Sequence, residues 1–138
     1  MNSSYKAVQY VHTSEELLEY AKERLQALQE ECETAAGNFP SSDHPKAVQF
    51  QNAAEALADA VGYLDDFEFP EQYNAGQELK VWLYVPRRRA HHASKQSRRD
   101  NACTALAALY VTLADEDGEP LVDARATAEA VEFPGMFG

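Results

Sequence analysis

Arg87, Arg88, Arg89, Lys95, Arg98 and Arg99 fall within thirteen residues that contain no acid, and His91 and His92 lie in the same run. These six are half of the twelve Lys and Arg residues in the chain; the other six face all 23 acids. Guanidinium groups bind phosphate or carboxylate through two parallel hydrogen bonds, so a run of this kind could hold an anionic partner. The run has no aromatic residue on which a base could stack. It also has no glycine-rich turn of the kind that cradles nucleotide phosphates. Two readings stay open. The run is a partner contact, or it is a solvated arm that offsets an acidic body.

The acids form clusters of their own. Glu15, Glu16 and Glu19 open the first predicted helix, and Asp65, Asp66 and Glu68 close the second. An antiparallel pairing of the two helices brings all six carboxylates to one tip. Acids suit a helix N-terminus and oppose the macrodipole at a C-terminus. Glu30, Glu31, Glu33, Asp65 and Asp66 are therefore at unfavourable ends, each at a cost of roughly a few tenths of a kcal/mol. The tip is expected to serve solubility or to face a basic protein surface, including one that normally holds nucleic acid.

Trp82 and Tyr84 share one face of a predicted strand. Either a further layer covers them, or they stand exposed beside the arginines as an interface patch of the Trp–Tyr–Arg kind. Metal and catalytic readings find little support. His91, His92 and Cys103 lack paired zinc spacing. Asp115, Glu116, Asp117 and Glu119 around Gly118 lack the regular ligands and closing Glu of a calcium loop. No nucleophile motif occurs. No catalytic residue, metal or cofactor is assigned.

Composition narrows the class. A chain of 138 residues with 45% apolar content fits a single domain, 1–138, with a real core. A net charge of −11 argues against nonspecific nucleic-acid or anionic-membrane binding by the whole surface. Cys32 and Cys103 are too few and too far apart for a disulfide framework. The N-terminal residues have no apolar run, and no segment reaches the ~18 apolar residues of a membrane span. The expectation is a cytoplasmic protein with reduced thiols and no membrane partner.

The elements that must position these residues can be read from periodicity. Tyr5 to Val11 reads as a strand. Thr13 and Glu16 form a capping box for a helix over 14–36, with Gly37 as its C′ residue. Leu18, Ala21, Leu25, Leu28, Cys32 and Ala35 follow a 3, 4, 3, 4, 3 spacing. Pro45 suits the first position of a second helix, in which Ala47, Phe50, Ala54, Leu57, Val61 and Leu64 repeat that spacing. Val48, Ala53, Ala58 and Ala60 widen its apolar face, so a further layer is expected there. Two helices of about 22 residues, each ~33 Å long, predict an antiparallel αα-hairpin.

Leu79 to Val85 alternates as a strand that Pro86 stops. Residues 86–99 are expected to be a basic, mobile loop with no part in the core. Residues 101–114 fit a helical stripe, with Ser97 and Asp100 as cap. They also alternate as a strand that Asp117-Gly118 would turn into a hairpin. The helix is preferred for its alanines. Residues 124–131 add a last helical turn or two.

The fold expected is α+β and helix-rich: a long αα-hairpin packed on a small antiparallel sheet, with a third helix after the basic loop. The function expected is a non-enzymatic, acidic binding protein that regulates or inhibits a macromolecular partner by surface contact, the partner being a protein with a basic surface. The alternative is a nucleic-acid-associated accessory subunit that contacts phosphates through the basic loop 87–99. The matched seams could pair within one chain or between two, which leaves a homodimer open.

Overall fold

The computed structural model describes residues 4–88 and 93–134. Strand β1 (Tyr5–Thr13) runs directly into helix α1 (Ser14–Gly37). Helix α2 (Pro45–Asp65), strand β2 (Glu78–Pro86), helix α3 (Lys95–Tyr110) and helix α4 (Glu119–Glu129) follow. The architecture is helix-rich α+β, as the periodicity predicts.

The helix starts follow from local chemistry. The Glu16 N–H donates to Thr13 Oγ1 (3.1 Å), and the Thr13 N–H donates to Glu16 Oε1 (2.8 Å), which completes the capping box. The next two amides of α1 reach carbonyls of the loop before β2: Ser14 N–H to Gln77 O and Glu15 N–H to Ala75 O, both 3.0 Å. The start of α1 thus has no amide to spare for an anion. Helix α2 begins with Pro45, and His44 Nδ1 accepts from the Lys46 N–H (3.1 Å). Helix α3 begins one turn earlier than its alanines indicate, because Ser94 Oγ accepts from the Ser97 N–H (3.1 Å).

The α1–α2 hairpin forms the spine. Leu25, Leu28, Cys32, Leu57 and Leu64 along the two stripes are wholly buried. The stripe of α1 swings by one residue in its first turn, so Leu17 is buried and Leu18 only half-buried. The loop preceding β2 packs there. Ser14 Oγ meets Tyr73 Oη (2.8 Å), which meets Thr112 Oγ1 (2.5 Å), and Thr112 donates onward to Leu109 O (2.6 Å). Because the Thr112 proton is committed to Leu109, Tyr73 donates to Thr112 and Ser14 donates to Tyr73. This relay ties α1, the loop and the end of α3 together.

Helix α3 packs on α1, and α4 packs on both α2 and α3. The widened face of α2 is therefore covered by α4, with Ala53 and Ala60 buried. Strands β1 and β2 pair antiparallel as a two-stranded ribbon, with Gln9 opposite Trp82 and Ala7 opposite Tyr84. Its inner face buries Val81 and Leu83.

The helix preferred over residues 101–114 is the one that forms, and three other expectations need correction. Residues 101–114 do not form a strand; α3 occupies them to Tyr110, and Gly118 leads into α4 rather than a hairpin turn. Gly118 lies so close to the Tyr110 ring that a Cβ there would sit 2.6 Å from Cδ1. The last helix is fuller than a turn or two, at 11 residues. Gly37 is the last residue of α1 rather than a left-handed C′, and Asn38 closes the helix with right-handed geometry (φ −80°). The basic run is not one loop, since α3 takes Lys95, Arg98 and Arg99.

Leu25 is wholly buried between the helices, so Leu25→Ala should lower stability by about 2–5 kcal/mol in a denaturant melt. A loss below ~0.5 kcal/mol would contradict the packed hairpin.

Candidate functional site

The charges gathered in the sequence separate in the fold. Arg98 and Arg99 are neighbours on α3, roughly 100° apart around its axis. Arg98 binds the Glu31 carboxylate of α1 in bidentate fashion, through Nη1 to Oε2 and Nη2 to Oε1 (2.9 Å). That pairing holds the Glu31 carboxyl below its ordinary pKa. It also answers one of the acids at the unfavourable end of α1.

Arg99 turns inward and is 8% exposed. Its Nη1 donates to Ala128 O (3.1 Å) and Val131 O (2.8 Å), its Nε to Asp100 Oδ1 (2.7 Å), and its guanidinium lies over the Phe133 ring. Helix α4 has no basic residue in its last turn, so Arg99 satisfies its terminal carbonyls from a neighbouring element. These two arginines are structural. Lys95 sits over the Phe50 ring at 5.9 Å. Arg87 and Arg88 are exposed beyond β2. Arg89, His91 and His92 lie outside the described residues.

The acidic set is all exposed, and the hairpin brings its two halves to one end. Lys22 of α1 reaches Asp65 at the close of α2 (3.4 Å). Two of the six carboxylates already have work within the fold: Glu16 in the capping box and Asp65 with Lys22. The tolerance of acids at helix C-termini therefore has a partly structural cause.

The aromatic pair is where the structure departs most from a covered reading. Trp82 and Tyr84 are 57% and 56% exposed. Among the described residues, no layer covers the outer face of the ribbon, where they stand opposite Gln9 and Ala7, with Val11 also exposed. Asn101 of α3, only 7% exposed, holds this strand in place. Its Oδ1 accepts from the Tyr84 N–H (3.0 Å), and its Nδ2 donates to Tyr84 O (2.9 Å). The backbone of Tyr84 therefore points away from β1, and strand alternation gives Trp82 the same outward direction. The side chain of Asn101 acts as one residue of a third strand.

Beside Tyr84 lies a cleft of about 750 Å³ lined by Tyr5, Lys6, Arg87, Ser94, Gln96 and Asp100 among others. Tyr5 Oη accepts from the Ser94 N–H (3.1 Å), which fixes its ring at the cleft wall. Sequence reasoning missed Asn101, Tyr5 and Lys6. A buried Asn near the start of a helix was the available signal for Asn101, but its partner is a main-chain group with no sequence signature.

Among the described residues, no group of three or more His, Cys, Asp or Glu is placed to hold a metal. Among the same residues, no helix is long and apolar enough to cross a membrane. Burial pushes the Cys103 thiol up to about 12 and also raises that of Cys32, so neither is a ready thiolate. No known protein family, curated protein or solved structure matches the chain.

Two measurements check this placement. Trypsin should cut after Arg87 or Arg88 well before Arg98 or Arg99, because the latter pair is helical and engaged; early cutting at Arg98 would contradict the clasp. The lowered pKa of Glu31 means its ion pair contributes fully at neutral pH, and that contribution is lost as pH falls through the folded value. Glu31→Gln should therefore melt below the wild type at pH 7. The gap should close as pH drops below the ordinary glutamate value of 4.5.

Proposed function

We propose that the protein is a non-enzymatic binding module that acts on a macromolecular partner by surface contact, and that the outer face of the β1–β2 ribbon is its principal contact. The observation that carries this reading is the exposure of Trp82 and Tyr84 side by side on a strand that Asn101 fixes from its edge. Large aromatic side chains left in water gain most when a partner desolvates them, and Trp, Tyr and Arg dominate interface hot spots. Arg87 and Arg88 stand just beyond the same strand. The rigid clasp beneath the face means that binding orders little, which keeps its entropic cost low.

A second reading retains the acidic end as the contact for a basic protein surface. It is supported by Glu15, Glu19, Asp66 and Glu68, which are exposed at one end of the hairpin. In that reading the exposed charges act through long-range attraction and set the association rate.

The two readings make opposite predictions for one experiment. The immobilised chain is exposed to extract from its own host, and retained molecules are compared between variants. Trp82→Ala with Tyr84→Ala should abolish capture while leaving the melting temperature nearly unchanged, since both rings are solvent-exposed. Replacing Glu15, Glu19, Asp66 and Glu68 by their amides should leave capture intact. Loss with the amide variant and retention with the alanine variant would move the contact to the acidic end.

A further inference from the structure

Single-stranded nucleic acid is the partner that the ribbon face fits best, we infer, resting this on the proposal that the face is the contact surface. The first observation is which cations the fold leaves free. Lys22, Arg98, Arg99 and Arg125 are committed to carboxylates or carbonyls, and Arg24 and Lys95 lie over aromatic rings. Among the described residues, Lys6, Lys80, Arg87 and Arg88 are the Lys and Arg side chains with no ion pair or ring contact inside the protein once Lys46 is set aside. All four lie on the ribbon or at its exit. In a chain of net charge −11, the uncommitted positive charge is thus collected on the element that carries the exposed aromatics.

The second observation is their order. Along β2 and its exit the exposed side chains run Glu78, Lys80, Trp82, Tyr84, Arg87, Arg88, so the two rings lie between cations, with one acid at the far end beyond Lys80. The rings are two residues apart on one face, about 7 Å at ~3.4 Å per residue. That is about twice the ~3.4 Å base rise of one duplex strand. Two neighbouring bases of a stretched single strand would each meet one ring, with phosphates passing Lys80 and Arg87. Opposite the rings stand Gln9 and Ala7, too small to cover them. Stacking on successive aromatics along a positive track is how single strands are held without sequence preference.

The third observation is the cleft beside Tyr84. Lys6 and Arg87 line it together with the polar side chains of Ser94, Gln96 and Ser97. Its volume of about 750 Å³ accommodates a further nucleotide. Asp100 is the acid in its wall, and Arg99 Nε counters that charge at 2.7 Å. Duplex DNA is disfavoured: its bases are already stacked on one another, and its wider cylinder of phosphates would approach the acidic helices. An acidic peptide would use the cations but gains little from two flat rings at base spacing.

Trp82 is the only tryptophan in the chain, so its fluorescence reports on this face alone. Titration of the full chain with a short oligothymidylate at low salt should quench that emission. Affinity measured by anisotropy of a labelled oligothymidylate should fall roughly tenfold for each of Trp82→Ala and Tyr84→Ala. Trp82→Phe should keep most of it. Arg87→Gln with Arg88→Gln should flatten the salt dependence of binding by about two counterions. Melting curves confirm that each variant is folded. No quenching by oligothymidylate or oligoadenylate at low salt overturns the inference, as does equal affinity for polyglutamate or for duplex DNA. If oligonucleotides fail while the alanine pair still abolishes capture from host extract, the contact surface stands and its partner is a protein. If both fail, the surface itself is wrong.

Discussion

The buried guanidinium of Arg99 is the constraint on which the rest of the structure depends. A charge taken out of water costs several kcal/mol unless hydrogen bonds replace the lost solvent. Here the replacement comes from the carbonyls that end α4, from Asp100 and from the face of Phe133. Ala128 O also accepts from the Val131 N–H (3.2 Å) and gives Arg99 its second lone pair, and the helix has no cation of its own in its last turn. The helix end thus removes the penalty of the buried charge, and α4 is fixed to α3. The next residue back, Arg98, fastens α3 to α1 through Glu31, and Asn101 fastens it to β2. Three positions on one helical stretch hold three neighbouring elements through polar contacts, while Leu106 and Leu109 bury the apolar side of the same helix.

This arrangement explains how so acidic a chain holds together. Lys22, Arg98 and Arg125 each neutralise a carboxylate, and Arg99 answers both Asp100 and a helix end. Two of these pairs, Lys22–Asp65 and Arg98–Glu31, cross between elements, so they fix orientation as well as reducing repulsion. The acids left over cover the helical surface and keep anions at a distance from it. The ribbon is the exception, and its apolar rings and free cations stand out because the rest of the surface is committed.

Much of the fold was legible in the sequence, because it is written in local patterns. The capping box at Thr13, the prolyl start at Pro45 and the two apolar stripes each depend on residues a few positions apart. The strand at Leu79 to Val85 is similarly plain from alternation. What was not legible depends on pairs distant in the chain. Arg98 and Arg99 read as part of a basic loop, either solvated or facing a partner, because their partners within the fold, Glu31 and the end of α4, are 67 and about 30 residues away. Charge adjacent in sequence looked like charge adjacent in space, and helical rotation separated it. The exposure of Trp82 and Tyr84 was undecidable for another reason: alternation shows that a strand has two faces, but not how many layers the fold will build. With the third and fourth helices spent on the spine, no element among the described residues covers the outer face.

The clamp at Asn101 ties the sheet edge to the chemistry of one side-chain amide. Its carboxamide works because one end donates and the other accepts, matching the Tyr84 carbonyl and N–H. Deamidation would turn the donating end into a second acceptor. The Tyr84 carbonyl would then face a carboxylate oxygen and lose its partner, while the N–H kept its own. A slow, spontaneous change of one atom would loosen the strand edge nearest the exposed rings and uncover main-chain groups able to recruit another strand. The age of a molecule, not only its sequence, would then govern whether this edge stays closed.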